Sequence, residues 1–175
     1  MSVLESLPGL STLFAEIYSD MGNSKVYVIL MAMGAMLTIH GLFVLTIASV
    51  YHFLIKRIGM KFHLAAGFIS YFLAITLIIL THLLEIVLWT YILVGLKVFP
   101  SNPQTFYFAG EMYTTVGFGS YTLPSNWRIL PILISFSGIF AVSMSGAALY
   151  TMMGSLLSKN ETSTINSKGQ RDSSV

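Results

Sequence analysis

The residues best placed to do chemistry form a short polar stretch between two long apolar segments. This stretch spans residues 113–124 and reads Y-T-T-V-G-F-G-S-Y-T-L-P. Gly117 and Gly119 stand at alternate positions in it, and glycine adopts backbone conformations that L-residues avoid. Such alternation can turn successive carbonyl groups the same way, and a ring of carbonyls can replace the hydration shell of a monovalent cation. With the Thr115 hydroxyl as one more oxygen at the inner end, the stretch predicts an ion-binding backbone.

The composition indicates that this stretch belongs to a membrane protein. Of the 175 residues, 55% are hydrophobic and only 9% are charged, and the mean hydropathy is +0.77. Since a soluble domain carries about 25% charged residues, we expect an integral membrane protein surrounded by the lipid bilayer. The net charge of +2 is too small to suggest a nucleic-acid partner, and the lack of cysteine excludes disulfides and thiolate metal sites.

Three apolar segments are long enough to cross the bilayer, which requires about 20 residues. They cover residues 26–55, 62–96 and 127–157. Residues 104–114 lie between the second and third segments and are too short to cross. They predict a half-membrane helix that leads into the glycine-containing stretch.

Both ends of the chain are too polar to span. Apolar residues recur at nearly helical spacing in residues 1–24, which predicts an amphipathic helix lying in the membrane interface. A partly ordered tail is the alternative for this segment. Residues 158–175 are rich in Ser, Thr, Asn and Lys, and this composition predicts a disordered tail.

The basic residues indicate the orientation of the chain. The loop after the first span and the C-terminal tail hold three basic residues each, whereas Lys25, Lys97 and Arg128 lie on the opposite side. Because basic residues favour the cytoplasm, we expect the C-terminus inside and the N-terminus outside. The polar stretch then enters the membrane from the outside.

The polar stretch resembles the potassium-channel selectivity filter, whose usual form is T-V-G-Y-G-D. The match covers Thr115, Val116, Gly117, Phe118 and Gly119. Phe118 stands in the Tyr position and Ser120 in the Asp position. The resemblance to one-pore-loop bacterial potassium channels extends over residues 62–157, and it implies K⁺ as the bound ion, four copies of the chain and a bacterial inner (plasma) membrane.

The flanking residues extend the resemblance. Tyr107 and Phe108 match the aromatic pore helix that braces the filter in such channels. Glu111 lies four residues before Thr115, where some of these channels carry a glutamate that pairs with the aspartate after the filter. With Ser120 in that position, the resemblance implies a hydrogen bond at most.

Gly138 and Gly146 in the third span are each compatible with a gating hinge or with close helix packing. Gly138 lies ten residues after Arg128, near the place where such channels carry a gating hinge. The same residue would also permit close helix packing, as small residues do in membranes. Hinge and packing remain open for Gly138, and packing is favoured for Gly146.

Three ionisable residues lie within the spans: His40 near the middle of the first span, and His82 and Glu85 in the second. Intramembrane ionisable residues are costly and are usually paired or functional. A buried His–Glu hydrogen bond that ties the first span to the others is the favoured interpretation. A proton-sensitive gate and a metal site are the two alternatives.

The sequence therefore predicts an all-α membrane protein with three transmembrane helices, a re-entrant pore helix and a selectivity filter. Its predicted parts are an interfacial segment (1–24), a first helix with a cytoplasmic basic loop (25–61), a pore domain (62–157) and a disordered cytoplasmic tail (158–175). The expected function is passive potassium conduction by a homotetramer, without organic cofactor or enzymatic activity. The alternative is a non-conducting, channel-like accessory subunit of a larger membrane complex.

Overall fold

The computed structural model is all-helical over the residues that it describes. Its description covers the backbone of residues 9–20, 24–58, 63–119 and 121–172, and no strand occurs among them. The α-helices within these residues are α1 (Leu10–Asp20), α2 (Lys25–Ile58), α3 (His63–Gly95), α4 (Asn102–Tyr113) and α5 (Leu130–Asp172).

Three of these helices are long and apolar enough to cross a membrane, as predicted. The candidate spans are Lys25–Arg57, Gly67–Gly95 and Ser125–Ser158. The short helix predicted between the second and third spans is present as α4. Its 12 residues extend over about 18 Å at 1.5 Å per residue, which is too short to cross the bilayer core.

The N-terminal helix predicted over residues 1–24 is described only in part, because residues 1–8 and 21–23 lie outside the described residues. Its described portion, α1, is helical throughout. Phe14 and Tyr18 are 68% and 69% exposed. An apolar face that the chain itself leaves uncovered is what an interfacial helix presents to lipid.

The C-terminal helix is longer than predicted. We expected the third span to end at Leu157 and residues 158–175 to be disordered, but α5 continues to Asp172. The added segment contains no proline, and extending an existing helix adds hydrogen bonds without a new nucleation cost. The polar composition of residues 158–172 indicates that this segment does not form a packed core, but the same composition is compatible with a helix.

The start of α5 also differs slightly from the prediction, which placed it at Trp127. The Trp127 N–H donates to the Pro124 carbonyl at 2.9 Å and closes a 3₁₀ turn over Ser125–Trp127. The α-helix then begins at Leu130. Pro131 is its second residue, a position where the missing N–H is tolerated.

The chain divides into two compact units. The first unit consists of Met1–Met36 and Ile86–Ile139, and the second consists of Leu37–Glu85 and Phe140–Val175. Buried residues of α2, α3 and α5 form the core of the second unit: Ile47, Tyr51, Ala74, Ile78 and Met152. The Tyr51 hydroxyl donates to the Met152 carbonyl at 2.8 Å. This bond connects α2 to α5. It matters because, in a membrane, apolar side chains contact lipid as favourably as they contact another helix.

In the first unit, the C-terminal end of α4 is fixed against α5. The Ser135 hydroxyl of α5 donates to the Met112 carbonyl at 2.8 Å. The Gly138 backbone comes so close to α4 that a Cβ at this position would lie 1.9 Å from the Tyr113 carbonyl oxygen. Only glycine leaves room for this approach. Gly138 therefore has a packing role, while its hinge role stays a prediction.

Replacing Gly138 by alanine should destabilise the protein, because the new methyl group meets backbone atoms that cannot rotate away. We expect Gly138→Ala to lower the free energy of unfolding by about 1–3 kcal/mol, the usual cost of overpacking. Gly146→Ala is the matched control on the same helix. The packing contact expected at Gly146 is not formed within the described chain, since a Cβ there would meet no atom within 4 Å. Unfolding in mixed detergent measures both variants, and equal stability would contradict the close approach at Gly138.

Candidate functional site

The polar stretch begins where α4 ends. The Thr114 N–H still donates to the Gly110 carbonyl at 2.9 Å, and the Thr115 N–H donates to the Met112 carbonyl at 3.1 Å. Residues 116–119 then have no regular secondary structure and are exposed in the single chain. The helix thus leads into the stretch through a tight turn.

Three alternate residues of the stretch have left-handed backbone conformations. The angle φ is 61° at Thr115, 53° at Gly117 and 72° at Gly119. The two glycine values confirm that these residues adopt conformations that L-residues avoid. Positive φ is a genuine outlier for a β-branched residue such as threonine. Strain of this kind costs about 1–3 kcal/mol and persists only where the surroundings enforce it, most often at functional sites.

Glu111 binds the N–H groups of the stretch. Its carboxylate accepts a hydrogen bond from the Phe118 N–H at 3.2 Å, and its backbone carbonyl accepts one from the Gly117 N–H at 3.4 Å. In a trans peptide the carbonyl points opposite to the N–H of the following residue, and the described residues contain no cis peptide bond. The carbonyls of Val116 and Gly117 therefore both point away from Glu111.

Tyr121 is the second partner of the Glu111 carboxylate. Its hydroxyl donates to Glu111 Oε1 at 3.1 Å, and its ring meets the rings of Phe108 and Phe99 edge-on, with centroids 5.5 and 5.8 Å away. Burial and the bond to Glu111 both raise the pKa of the Tyr121 phenol above its ordinary value. The hydroxyl is therefore protonated and able to donate at neutral pH. Sequence reasoning missed Tyr121, although a tyrosine shortly after the glycines was the available signal.

The residues predicted to support the stretch differ in how closely they contact it. Glu111 bonds the stretch directly, and Phe108 is buried and packs against Tyr121. Tyr107 is 63% exposed, and its ring meets the Phe106 ring edge-on at 5.7 Å. Ser120 lies outside the described residues.

A second group of polar side chains is buried in the second unit. His40 Nδ1 lies 2.6 Å from Glu85 Oε1, and His40 Nε2 lies 3.0 Å from Ser145 Oγ. The His82 ring is 5.0 Å from the His40 ring. A buried His–Glu hydrogen bond is present as predicted, and it joins His40 to Glu85. Sequence reasoning missed Ser145, because its helix carries several serines and none is distinguished by spacing.

Comparison with protein-family models, curated proteins and solved structures gave no match to this chain. Two places in the chain have geometry typical of functional sites: the strained stretch bound by Glu111 and the buried cluster around His40.

Replacing Glu111 by glutamine should lower the pKa of the Tyr121 phenol. The neutral amide removes the negative charge that disfavours the phenolate, while the burial of the ring remains. NMR of protein labelled with ¹³C at the tyrosine Cζ atoms, recorded through the alkaline range, follows this titration. Glu16→Gln is the control, because Glu16 is exposed on α1. An unchanged Tyr121 titration in Glu111→Gln would contradict the hydrogen bond.

Proposed function

We propose that the chain is one subunit of a potassium-selective channel, and that residues 115–119 of four copies together line its ion pathway. The observation that carries this proposal is the alternation of left-handed residues in a stretch whose N–H groups are bonded to Glu111. This geometry directs consecutive carbonyl oxygens away from α4. Such a row of oxygens can take the place of the water around a monovalent cation.

The proposed mechanism is dehydration of K⁺ against backbone oxygen. The ligands are the carbonyls of Thr115, Val116, Gly117 and Phe118, and the Thr115 hydroxyl contributes at the inner end. Repulsion between ions at adjacent sites then drives exit, because conduction requires binding that is favourable but weak enough to release. K⁺ is both ligand and transported ion, and this mechanism uses no organic cofactor.

The stretch is not covered by the rest of its own chain. In the single chain, the side chains of Phe118 and Val116 are 77% and 55% exposed, so the stretch is free to face neighbouring copies. One stretch supplies one side of a ring, and a potassium filter is built from four loops, so we propose a homotetramer in the bilayer.

The proposed filter would be braced differently from that of the channels it resembles. Phe118 has no hydroxyl to bond, but its backbone N–H is bonded to the Glu111 carboxylate, and the Tyr121 phenol is the second partner of that carboxylate. Ser120 provides no negative charge at the outer mouth, where acidic rings attract cations. We expect weaker attraction of cations to the mouth than an aspartate would give.

The proposed orientation follows the basic residues, with the N-terminus outside and the C-terminus in the cytoplasm. The membrane would be the plasma membrane of a bacterium, as the resemblance implies. The stretch then faces the outside, and α5 continues toward the cytoplasm. Movement of α5 would gate the pathway.

Ion flux from reconstituted liposomes tests the proposal. The purified protein should pass K⁺ in preference to Na⁺, and Ba²⁺ should block the flux. Gly117→Ala should reduce K⁺ flux by at least about tenfold, because a left-handed L-residue costs roughly 1–2 kcal/mol in each copy. A Cβ at Gly117 would meet no atom within 4 Å, so the effect acts through the backbone alone. Gly41→Ala is the matched control, since that position is equally open and its φ is not positive.

Each outcome of this experiment bears on a different part of the proposal. Undiminished K⁺ flux in Gly117→Ala would refute the filter assignment. Equal Na⁺ and K⁺ flux would agree with the proposed pore but would refute its selectivity for potassium. Absence of flux from well-folded tetramers would refute conduction and favour the alternative, a channel-like accessory subunit of a larger complex.

A further inference from the structure

Two imidazoles and one carboxylate converge within the second unit. His40 comes from α2, and His82 and Glu85 lie one turn apart on α3. One ligand atom from each residue can be chosen so that all three lie within 4.8 Å of one another. The second imidazole makes the cluster a set of three ligands.

We propose that His40, His82 and Glu85 form a binding site for a divalent transition metal of the Zn²⁺ class. Two histidines and one glutamate are a ligand set that Zn²⁺ uses when a fourth position is left to water. Imidazole suits Zn²⁺ and its neighbours among the transition metals, whereas Mg²⁺ and Ca²⁺ prefer oxygen ligands. The site is independent of the ion pathway proposed above, because none of its residues belongs to the stretch at residues 113–124.

The ligand atoms lie within 4.8 Å of one another, so they fit a metal after the closest pair separates and the more distant ones approach by up to about 1.5 Å. Bond lengths of about 2.0–2.2 Å place two ligand atoms of a tetrahedral zinc site roughly 3.3 Å apart. His40 Nδ1 and Glu85 Oε1 are 2.6 Å apart, a distance at which they share a proton. A metal replaces that proton when the pair separates by less than about 1 Å.

Ser145 suits both states of the cluster. Its hydroxyl lies 3.0 Å from His40 Nε2 and can either donate or accept a hydrogen bond. When Nδ1 carries the proton, Nε2 accepts from the serine. When Nδ1 binds a metal, Nε2 carries the proton and donates to the serine, which is how a metal-bound histidine is usually oriented. Ser145 is therefore a positioning residue from α5.

Burial favours tight binding, and the cluster keeps one accessible side. His40 and Glu85 are 0% and 3% exposed, so few water molecules compete for the ion. His82 is half-buried, so it is the one of the three ligands that the chain itself does not fully enclose. A bound metal would join α2 to α3 directly and α5 through Ser145, so it should stabilise all three helices against unfolding.

Metal titration of the full-length protein in detergent tests the site. After treatment with a chelator, the protein is titrated with Co²⁺ while its visible absorption is followed, and Zn²⁺ is then added as competitor. Bound Zn²⁺ per chain is counted by elemental analysis after dialysis. We expect one ion per chain, a tetrahedral Co²⁺ spectrum and displacement of Co²⁺ by Zn²⁺, which binds more tightly.

Variants assign the ligands. His82→Ala leaves the His40–Glu85 bond in place, so it should fold and still lose at least about 100-fold in affinity, while Ser145→Ala should lose about 10-fold, as outer-shell substitutions do. His52→Ala is the matched control, because His52 is an exposed residue of the same helix as His40. Zn²⁺ should raise the melting temperature of the wild type and of His52→Ala, and leave that of His82→Ala unchanged.

Two results would overturn the site. One is the absence of saturable Co²⁺ or Zn²⁺ binding by the folded wild type, which would leave the cluster as a hydrogen-bonded tie. The other is binding that His82→Ala leaves unchanged, which would place the metal elsewhere. Neither result depends on ion flux, so the metal site can fail while the channel stands.

Discussion

The hydrogen bonds between Glu111 and the polar stretch are the interactions on which the rest of the site depends. A stretch with left-handed residues at alternate positions has no ladder or helix of its own, so its N–H groups need partners elsewhere. Glu111 supplies two of these partners, its carboxylate and its backbone carbonyl. Because these acceptors lie on one side, the corresponding carbonyls are directed to the other. The Tyr121 phenol then bonds to the second carboxylate oxygen.

The remaining polar contacts join helices within each of the two units. In the first unit, the Ser135 hydroxyl of α5 donates a hydrogen bond to the last turn of α4, and Gly138 allows the backbones of these two helices to come close together. In the second unit, Tyr51 bonds the Met152 carbonyl and His40 bonds both Glu85 and Ser145. In a bilayer, apolar side chains gain little by leaving lipid for protein, so association depends on close packing and on bonds of this kind. The few buried polar residues therefore specify the packing that the many apolar ones permit.

The sequence predicted the features that depend on local properties of the chain. Apolar length gave the three spans, the short helix followed from the limited length of residues 104–114, and the glycine pattern gave the left-handed positions Gly117 and Gly119. The features it missed depend on tertiary approach. A threonine at position 115 does not by itself indicate a positive φ, and the spacing of the serines in α5 does not select Ser145 as a partner. Tyr121 follows closely after the glycines, but its bond to Glu111 depends on the tertiary fold. The prediction that the tail is disordered was wrong for a different reason. Low hydrophobicity excludes a packed core, but it permits a helix that continues from α5.

We propose that four copies of the chain turn the carbonyls of residues 115–118 toward a shared axis and bind potassium there. Electron cryomicroscopy of the protein in lipid nanodiscs with potassium chloride would show whether they do. We expect four chains around one axis, with ion density enclosed by these carbonyl oxygens and Glu111 behind them. A structure in which the stretch faces lipid, or in which no axis brings the copies of Gly117 together, would contradict it.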